Sequence, residues 1–171
     1  MIFIRPEALP HAAKALKTAK IVIVKRQCLM LKLKSAQKIV KVALETARLK
    51  NMKALVVAIV DARGALVAFA AEDGSSLKRE KVARGKADGA IALGVSSRAI
   101  AKMAAERPHF VAAVSHAVGG SLIPVPGGVL IRDSKGVLLG VVGVSGDTSD
   151  NDELAAVAGI EAAGLVAETG A

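Results

Sequence analysis

The order of apolar segments along the chain constrains its fold more strongly than any other feature. A helical pattern that ends near Lys50 comes first, and Ser35 is its expected N-cap. A β-branched apolar run at residues 55–60 and a second apolar run at 65–70 follow, and the turn at 61–64 joins them as a predicted hairpin. Because both runs are apolar on both faces, we expect the sheet that contains them to be covered on both sides.

The second half of the chain adds helices and then strands. The predicted helices lie at 77–93, at 96–106 with Ser96 or Ser97 as the cap, and at 108–116. Strand-like runs follow at 121–125, 129–132 and 137–144, and the last two form a second predicted hairpin. A final helix, capped by Thr148 or Ser149, is predicted to carry Leu165 and Val166 near its end. This order predicts an α/β (α+β) domain, with an antiparallel sheet of about five strands flanked by helices, rather than a doubly wound fold.

Aromatic residues are almost absent, since the chain has three Phe and neither Tyr nor Trp. More than half of the residues are apolar, 53%, so the core must consist of Ala, Val, Leu and Ile. Each of these small side chains buries little area. We therefore expect the chain to gain further burial by forming a homo-oligomer.

Charge is spread unevenly, with +5 on residues 1–30, +9 on residues 31–107 and −5 on residues 108–171. We interpret residues 1–30 as a basic N-terminal extension, which is either a flexible tail, the product of a start codon placed too far upstream, or a functional arm. Residues 31–171 form the predicted domain. The basic residues fit solvated helix faces, and since only three Phe are available to stack on bases we expect no nucleic acid as partner.

The single cysteine, Cys28, excludes a disulfide framework or a thiolate metal cluster within the chain. One unpaired cysteine is typical of a reducing compartment. No stretch is apolar for long enough to span a membrane, and the run at 21–24 is too short for a signal peptide. We therefore expect a cytoplasmic protein that has no membrane partner.

A glycine- and proline-rich stretch is the first candidate for a functional site. Eight of the sixteen glycines lie between Gly119 and Gly146. Backbone N–H groups in such loops can hold an anion or a ligand carbonyl, although a tight connection between strands explains the same residues. Ser145 and Gly146, which precede the final helix, form either an anion site at the helix N-terminus or a simple cap region. The candidate binding residues in this stretch are Gly119, Gly120, Pro126, Gly127, Gly128, Ser145 and Gly146.

Three titratable residues are candidates for chemistry. His116, at a predicted helix end, suits an axial ligand of haem, an acid/base group, or a cation that interacts with the helix dipole. Lys86 is either part of a solvated basic helix face or, because small residues flank it, a closely packed side chain with a functional role. Asp152 is most simply an acid in the first turn of the final helix. No spacing of His, Cys or carboxylates predicts a metal site.

Four motifs carry a family resemblance over residues 31 to about 167. In order they are Val57-Ala-Ile-Val-Asp61-Ala-Arg-Gly64, Gly85-Lys86-Ala87, Gly119-Gly120 with Pro126-Gly127-Gly128, and Gly140-Val-Val-Gly143-Val-Ser145-Gly146 with Asp152-Glu153. The sequence resembles the GlcG/HbpS-like family of haem-binding or haem-degrading-like proteins, which includes the C-terminal domain of PduO-type proteins. The resemblance implies a profilin-like fold, a homo-oligomer such as a tetramer or octamer, and haem as a cofactor of some members.

The chain departs from the family pattern at two motifs. Asp88 stands where the family commonly has an aromatic residue, and Asp147 stands where it has glycine. On that comparison, both carboxylates are expected to face each other near the pocket, which favours a smaller and more polar ligand than haem.

Three hypotheses of function remain open on the sequence. The first is a small-ligand-binding protein that takes haem or a tetrapyrrole, with His116 as axial ligand and Lys86 paired with a propionate. The second is an enzyme or accessory protein that acts on a small organic acid or hydroxy-carbonyl metabolite, with His116 or Asp152 as its acid/base group. The third is a structural or assembly oligomer without a ligand, whose basic extension docks a partner.

Overall fold

A computed structural model describes residues 30–170 of the chain. These residues form five helices and five strands. In chain order, the elements are α1 (Leu33–Leu49), β1 (Val56–Asp61), β2 (Leu66–Ala71), α2 (Arg79–Leu93), α3 (Ser97–Glu106), α4 (Pro108–Ala117), β3 (Gly128–Arg132), β4 (Leu138–Ser145), α5 (Ser149–Ala162) and β5 (Val166–Glu168). The predicted α+β class is therefore confirmed. The predicted extension lies outside the described residues, apart from its last residue.

The five strands form one antiparallel sheet in the order β2-β1-β4-β3-β5. Both predicted hairpins are present, and in each turn an aspartate carboxylate accepts two backbone N–H groups. The carboxylate of Asp61 accepts the backbone N–H groups of Arg63 and Ala65, and that of Asp133 accepts those of Lys135 and Val137. Local hydrogen bonding by aspartate therefore fixes both chain reversals.

Helices cover the two faces of the sheet unequally. On one face, α1 and α5 pack on the largest apolar cluster, which includes Ile39, Val57, Val142 and Ile160. On the other face, α2 packs through alanines against Val60, Leu130 and Val141. The α2 layer does not cover the edge strand β2, where Leu66 is 53% exposed and Phe69 is 44% exposed. The expectation of a sheet covered throughout is thus wrong for β2.

The expected strand at 121–125 is also wrong, because this segment is a loop that packs against α2. Pro124 and Pro126 lack the N–H groups that a strand ladder needs. The N–H of Ile123 instead donates to the carbonyl of Gly85 at 3.3 Å. Beside this loop, α3 and α4 share a small apolar cluster of Ile100, Val111 and Leu122.

The fifth strand comes from a segment that the sequence pattern assigned to the last helix. The helix ends at Ala162, and Gly164 adopts the left-handed conformation with φ +74°. The chain then reverses, and Val166 pairs with Arg132 of β3. At the other end of the domain, α1 begins at Leu33, so Ser35 lies inside its first turn rather than at its N-cap.

Thr148 and Ser96 are the caps that the sequence predicted, and each accepts a backbone N–H three residues on. Within the described residues, no helix is both long and apolar enough to cross a membrane.

Candidate functional site

A lysine–aspartate ion pair is buried between the two helical layers. The Nζ atom of Lys86, on α2, lies 2.8 Å from Oδ2 of Asp152, on α5, and each side chain is only 2% exposed. The second carboxylate oxygen of Asp152 accepts the backbone N–H of Asp147 at 3.0 Å. The ion pair therefore connects α2 and α5, which pack on opposite faces of the sheet. Asp152 is more than the first-turn helix acid that its sequence position indicates.

Gly127 lies directly against this ion pair, and Gly128 packs on the backbone of Lys86 and on Ser97. A Cβ atom on Gly127, whose φ is +118°, would lie 2.8 Å from the Lys86 ammonium and 2.9 Å from the Val144 carbonyl oxygen. The N–H of Gly128 donates to the hydroxyl of Ser97 at 2.6 Å. The backbone at Gly127 thus packs tightly on the buried pair, and the N–H of Gly128 is already bonded within the protein.

Burial and the attraction between the two charges shift the pKa values of this pair in opposite directions. Burial lowers the pKa of Lys86 and raises that of Asp152, because it disfavours the charged form of each. Their mutual attraction and hydrogen bond oppose both shifts. Each partner therefore depends on the other to stay ionised in the core.

Carboxylates of the protein hold the segment that leads into α5, just before its cap Thr148. Asp147 accepts the backbone N–H of Lys53 at 2.7 Å, the N–H of Thr148 and the amide of Asn151. These hydrogen bonds, the one from Lys53 first, lower the pKa of Asp147 to about 2. Nearby, the Ser145 hydroxyl accepts from Arg79 at 3.2 Å. An anionic ligand at this helix start would meet Asp147, which favours a cap region over an anion site at Ser145 and Gly146.

We expect Asp147→Asn to weaken the acid dependence of stability. The pKa of Asp147 in the folded protein lies below the usual value of 3.8 for aspartate, so this carboxylate contributes stability above pH 3.8 that is lost as the pH falls towards about 2. The amide has no such titration. Urea unfolding at a series of pH values across this window measures how steeply the free energy of unfolding changes with pH. Glu106→Gln, which removes an exposed carboxylate of α3, is the control, and a pH dependence equal to wild type in Asp147→Asn would contradict the role assigned to the hydrogen bonds of Asp147.

A groove of about 430 Å³ lies between the start of α2 and the loop that follows α4. Three cations, Lys78, Lys81 and Arg84, face it against one carboxylate, that of Glu80. Val82 of α2 and Ile123 of the loop form its apolar wall. The lining is completed by Gly85, Gly120 and Ser121. This volume is within the range of small-molecule sites, and the charge favours an anionic ligand with an apolar body.

His116 and the two glycines after it lie on the segment that leads into this groove. His116 is exposed in the last turn of α4, and Gly120, which lines the groove, donates its N–H to the carbonyl of Ser115. Gly119 and Gly120 are exposed and adopt positive φ values. The structure thus brings Gly120 to the groove, and His116 adjoins it in sequence, while Lys86, Gly127, Gly128 and Asp152 form the buried cluster.

Asp88 and Asp147 do not face each other, so that expectation is wrong. Asp88 is bonded to Arg84, which also donates to the carbonyl of Gly64 in the β1–β2 turn. Asp147 binds the N–H of Lys53, just before β1 begins. The two carboxylates therefore lie towards opposite ends of a six-residue strand, and such a strand is roughly 17–20 Å long.

The sequence pattern missed the residues that line the groove. Lys78, Lys81 and Arg84 were interpreted only as part of a basic helix face. Their i, i+3, i+6 spacing places them along one side of α2, which is the signal that could have separated them from the other basic residues. The contribution of Ile123 had no such signal, because it depends on the loop packing against Gly85.

The fold and the site define a class of protein, namely an α+β domain with a five-stranded antiparallel sheet and a basic groove beside its central helix. Residues 31–161 match the family model described as "Haem degrading protein HbpS-like", and the chain therefore belongs to the HbpS-like family. The resemblance that the four motifs indicated is confirmed. No curated protein matches the chain.

Solved structures agree with this membership. The crystal structure of HbpS is 27% identical, with a TM-score of 0.65 over 76% of this chain and 87% of that one. The complex of PduOC with haem is 22% identical, with a TM-score of 0.73 over 81% of this chain and 99% of that one. The Klebsiella pneumoniae protein ORFY is 23% identical, with a TM-score of 0.70 over 78% of this chain and 90% of that one. The last two comparisons concern the fold alone.

Proposed function

We propose that this chain is a small-ligand-binding protein that takes haem, or a related tetrapyrrole, in the groove between α2 and residues 120–123. The observation that carries the proposal is the groove itself, which combines a basic side with an apolar wall. Haem has the matching chemistry, because its macrocycle is apolar and its propionates are anionic. Membership of the HbpS-like family supports the same ligand class, and the complex of PduOC with haem is a case of this fold holding haem.

The residues in the groove fit this ligand in specific roles. Lys78 and Lys81 would hold the propionates, with Arg84 beside them on its ion pair with Asp88, and Val82 with Ile123 would contact the macrocycle. His116, which is exposed and close in sequence to Gly120 of the groove, is the candidate residue that would hold the iron. Lys86 was predicted to meet a propionate, and that pairing stays a prediction. Its ammonium is held by Asp152, which makes the surface cations the better candidates. Bound haem would supply a redox-active iron.

A hemin titration tests this proposal. We expect saturable binding with a shift of the Soret band, and His116→Ala should change the band position and weaken binding by about ten-fold or more, which is 1.4 kcal/mol or more. The matched control is His109→Ala, which removes another exposed histidine from the same helix. If neither variant differs from wild type, His116 is not the ligand; if wild type shows no shift with micromolar hemin, the proposed function is wrong.

We also propose that the chain forms a homo-oligomer, of which a tetramer or octamer is the form that the resemblance implies. The support is the uncovered face of β2, where Leu66 and Phe69 expose large apolar side chains on an edge strand without a charged residue. A second copy is the partner that such a face fits, because identical apolar strands are complementary to each other. The single cysteine supports a reducing, cytoplasmic location for this assembly.

Phe69→Glu is expected to shift the oligomer to a smaller species, because it places a charge on the exposed apolar face. Light scattering coupled to size exclusion measures the mass. Phe110→Glu, which changes an exposed Phe on α4, is the matched control. A Phe69→Glu variant with the mass of wild type, or a monomeric wild type, would contradict the role of β2.

A further inference from the structure

The loop that forms one wall of the groove rests on two glycines of α2. A Cβ atom on Gly85 would lie 2.6 Å from Cγ1 of Ile123, and one on Gly89 would lie 2.9 Å from Cγ of Leu122. Both glycines lie within a helix, a conformation that any residue adopts, so they are needed here for the close approach of the loop. Only the first contact belongs to the groove, because Gly85 and Ile123 line it and Gly89 and Leu122 do not.

Ile123 has little freedom to move away from Gly85. Its N–H donates to the carbonyl of Gly85 at 3.3 Å, and its own carbonyl accepts the N–H of Val125 at 3.0 Å. The side chain is β-branched, which restricts χ1, and the proline that follows restricts the backbone. The wall of the groove at Ile123 is therefore rigid.

The side of the groove that α2 provides is one continuous helix face. Lys78, Lys81, Val82 and Gly85 line it at the i, i+3, i+4, i+7 spacing of such a face. Because Gly85 has no side chain, a ligand that lies against Val82 can also approach the helix backbone, next to Ile123. A flat, stiff ring fits this surface with little loss of conformational freedom, whereas a flexible ligand loses more.

We infer that the contact between Gly85 and Ile123 makes the groove selective for a closed, planar tetrapyrrole ring over an open-chain tetrapyrrole. This inference rests on the proposed function and narrows its ligand class. The propionates do not distinguish the two ligands, since both kinds carry them. The open chain must give up internal rotation to lie flat against Val82 and Ile123. A methyl group at residue 85 displaces Ile123, and the rigid ring cannot adapt to the shifted wall, while the open chain can.

Titrations of the full chain with protoporphyrin IX and with biliverdin test this selectivity, because neither contains iron and coordination therefore does not contribute. We expect wild type to bind protoporphyrin IX at least about ten-fold more tightly than biliverdin. Gly85→Ala should lower this ratio of affinities by about ten-fold, which is within the usual effect of overpacking, by weakening protoporphyrin IX. Gly89→Ala is the matched control. It inserts the same methyl group against the same loop outside the groove and should leave the ratio unchanged.

Ile123→Ala is a second test, which does not depend on whether Gly85→Ala folds, because truncation removes the wall without adding atoms to the contact with α2. It should also lower the ratio, in a variant whose circular dichroism matches that of wild type. The inference is overturned if wild type binds both ligands equally, if Gly89→Ala lowers the ratio as much as Gly85→Ala, or if Ile123→Ala keeps the wild-type ratio. Any of these results together with a normal hemin titration overturns this inference alone. A wild type that binds neither hemin nor protoporphyrin IX contradicts the proposed function as well.

Discussion

Lys86→Met should lower the free energy of unfolding by about 3–5 kcal/mol, which is the usual effect of removing one partner of a buried ion pair. The loss arises because Asp152 would remain as a buried carboxylate without its cation. Its side chain is 2% exposed and packs against the backbone of Gly127. Urea unfolding followed by circular dichroism measures it. The matched control is Lys81→Met, an exposed position on the same helix, where we expect a change within about 0.5 kcal/mol.

The double variant Lys86→Met/Asp152→Asn separates loss of charge balance from loss of packing. Asparagine keeps an oxygen for the N–H of Asp147 and removes the unpaired charge. We expect it to recover most of the stability that Lys86→Met loses, because replacing both charges avoids the desolvation of a single one. If the double variant is as unstable as the single one, packing of the lysine stem rather than the ion pair supports the link between α2 and α5.

The second large effect is expected on ligand affinity. Lys78→Glu/Lys81→Glu should weaken hemin binding by about ten- to hundred-fold, or 1.4–2.8 kcal/mol, because it places two negative charges where the propionates are proposed to lie. Neither lysine forms an ion pair with another described residue, so the fold should tolerate the change. Hemin titration by absorbance provides the affinities.

Lys102→Glu/Lys135→Glu is the control for this charge reversal. It changes the net charge by the same amount at two exposed positions outside the groove. We expect it to leave hemin affinity close to that of wild type at physiological salt, where distant exposed charges are screened. Equal weakening by the two pairs would mean that hemin responds to net charge rather than to this groove.

The elements that the sequence predicted well are those whose signals are local. Both hairpin turns place an aspartate three residues before a glycine, and the structure shows each aspartate bonded to its own turn. The short strand β5 has no such signal. It forms because Gly164 ends α5 and the chain then meets β3, so its pairing depends on a strand more than thirty residues earlier in the sequence.

The same distinction applies to the site. The small residues around Lys86 correctly indicated a packed lysine, because helix packing leaves a local pattern. Its partner Asp152 lies 66 residues away, and its position near a helix start offered a sufficient local explanation. The groove likewise needs Ile123 to pack on Gly85 from a distant loop. Pairs of this kind depend on tertiary contacts, which a single sequence does not specify.

We propose that haem binds between α2 and residues 120–123, and a crystal structure of the chain grown with hemin is the decisive test. We expect the macrocycle to lie against Val82 and Ile123, with its propionates at Lys78 or Lys81. A macrocycle bound elsewhere, or this groove occupied only by solvent in crystals that contain stoichiometric hemin, would show that the groove is not the haem site.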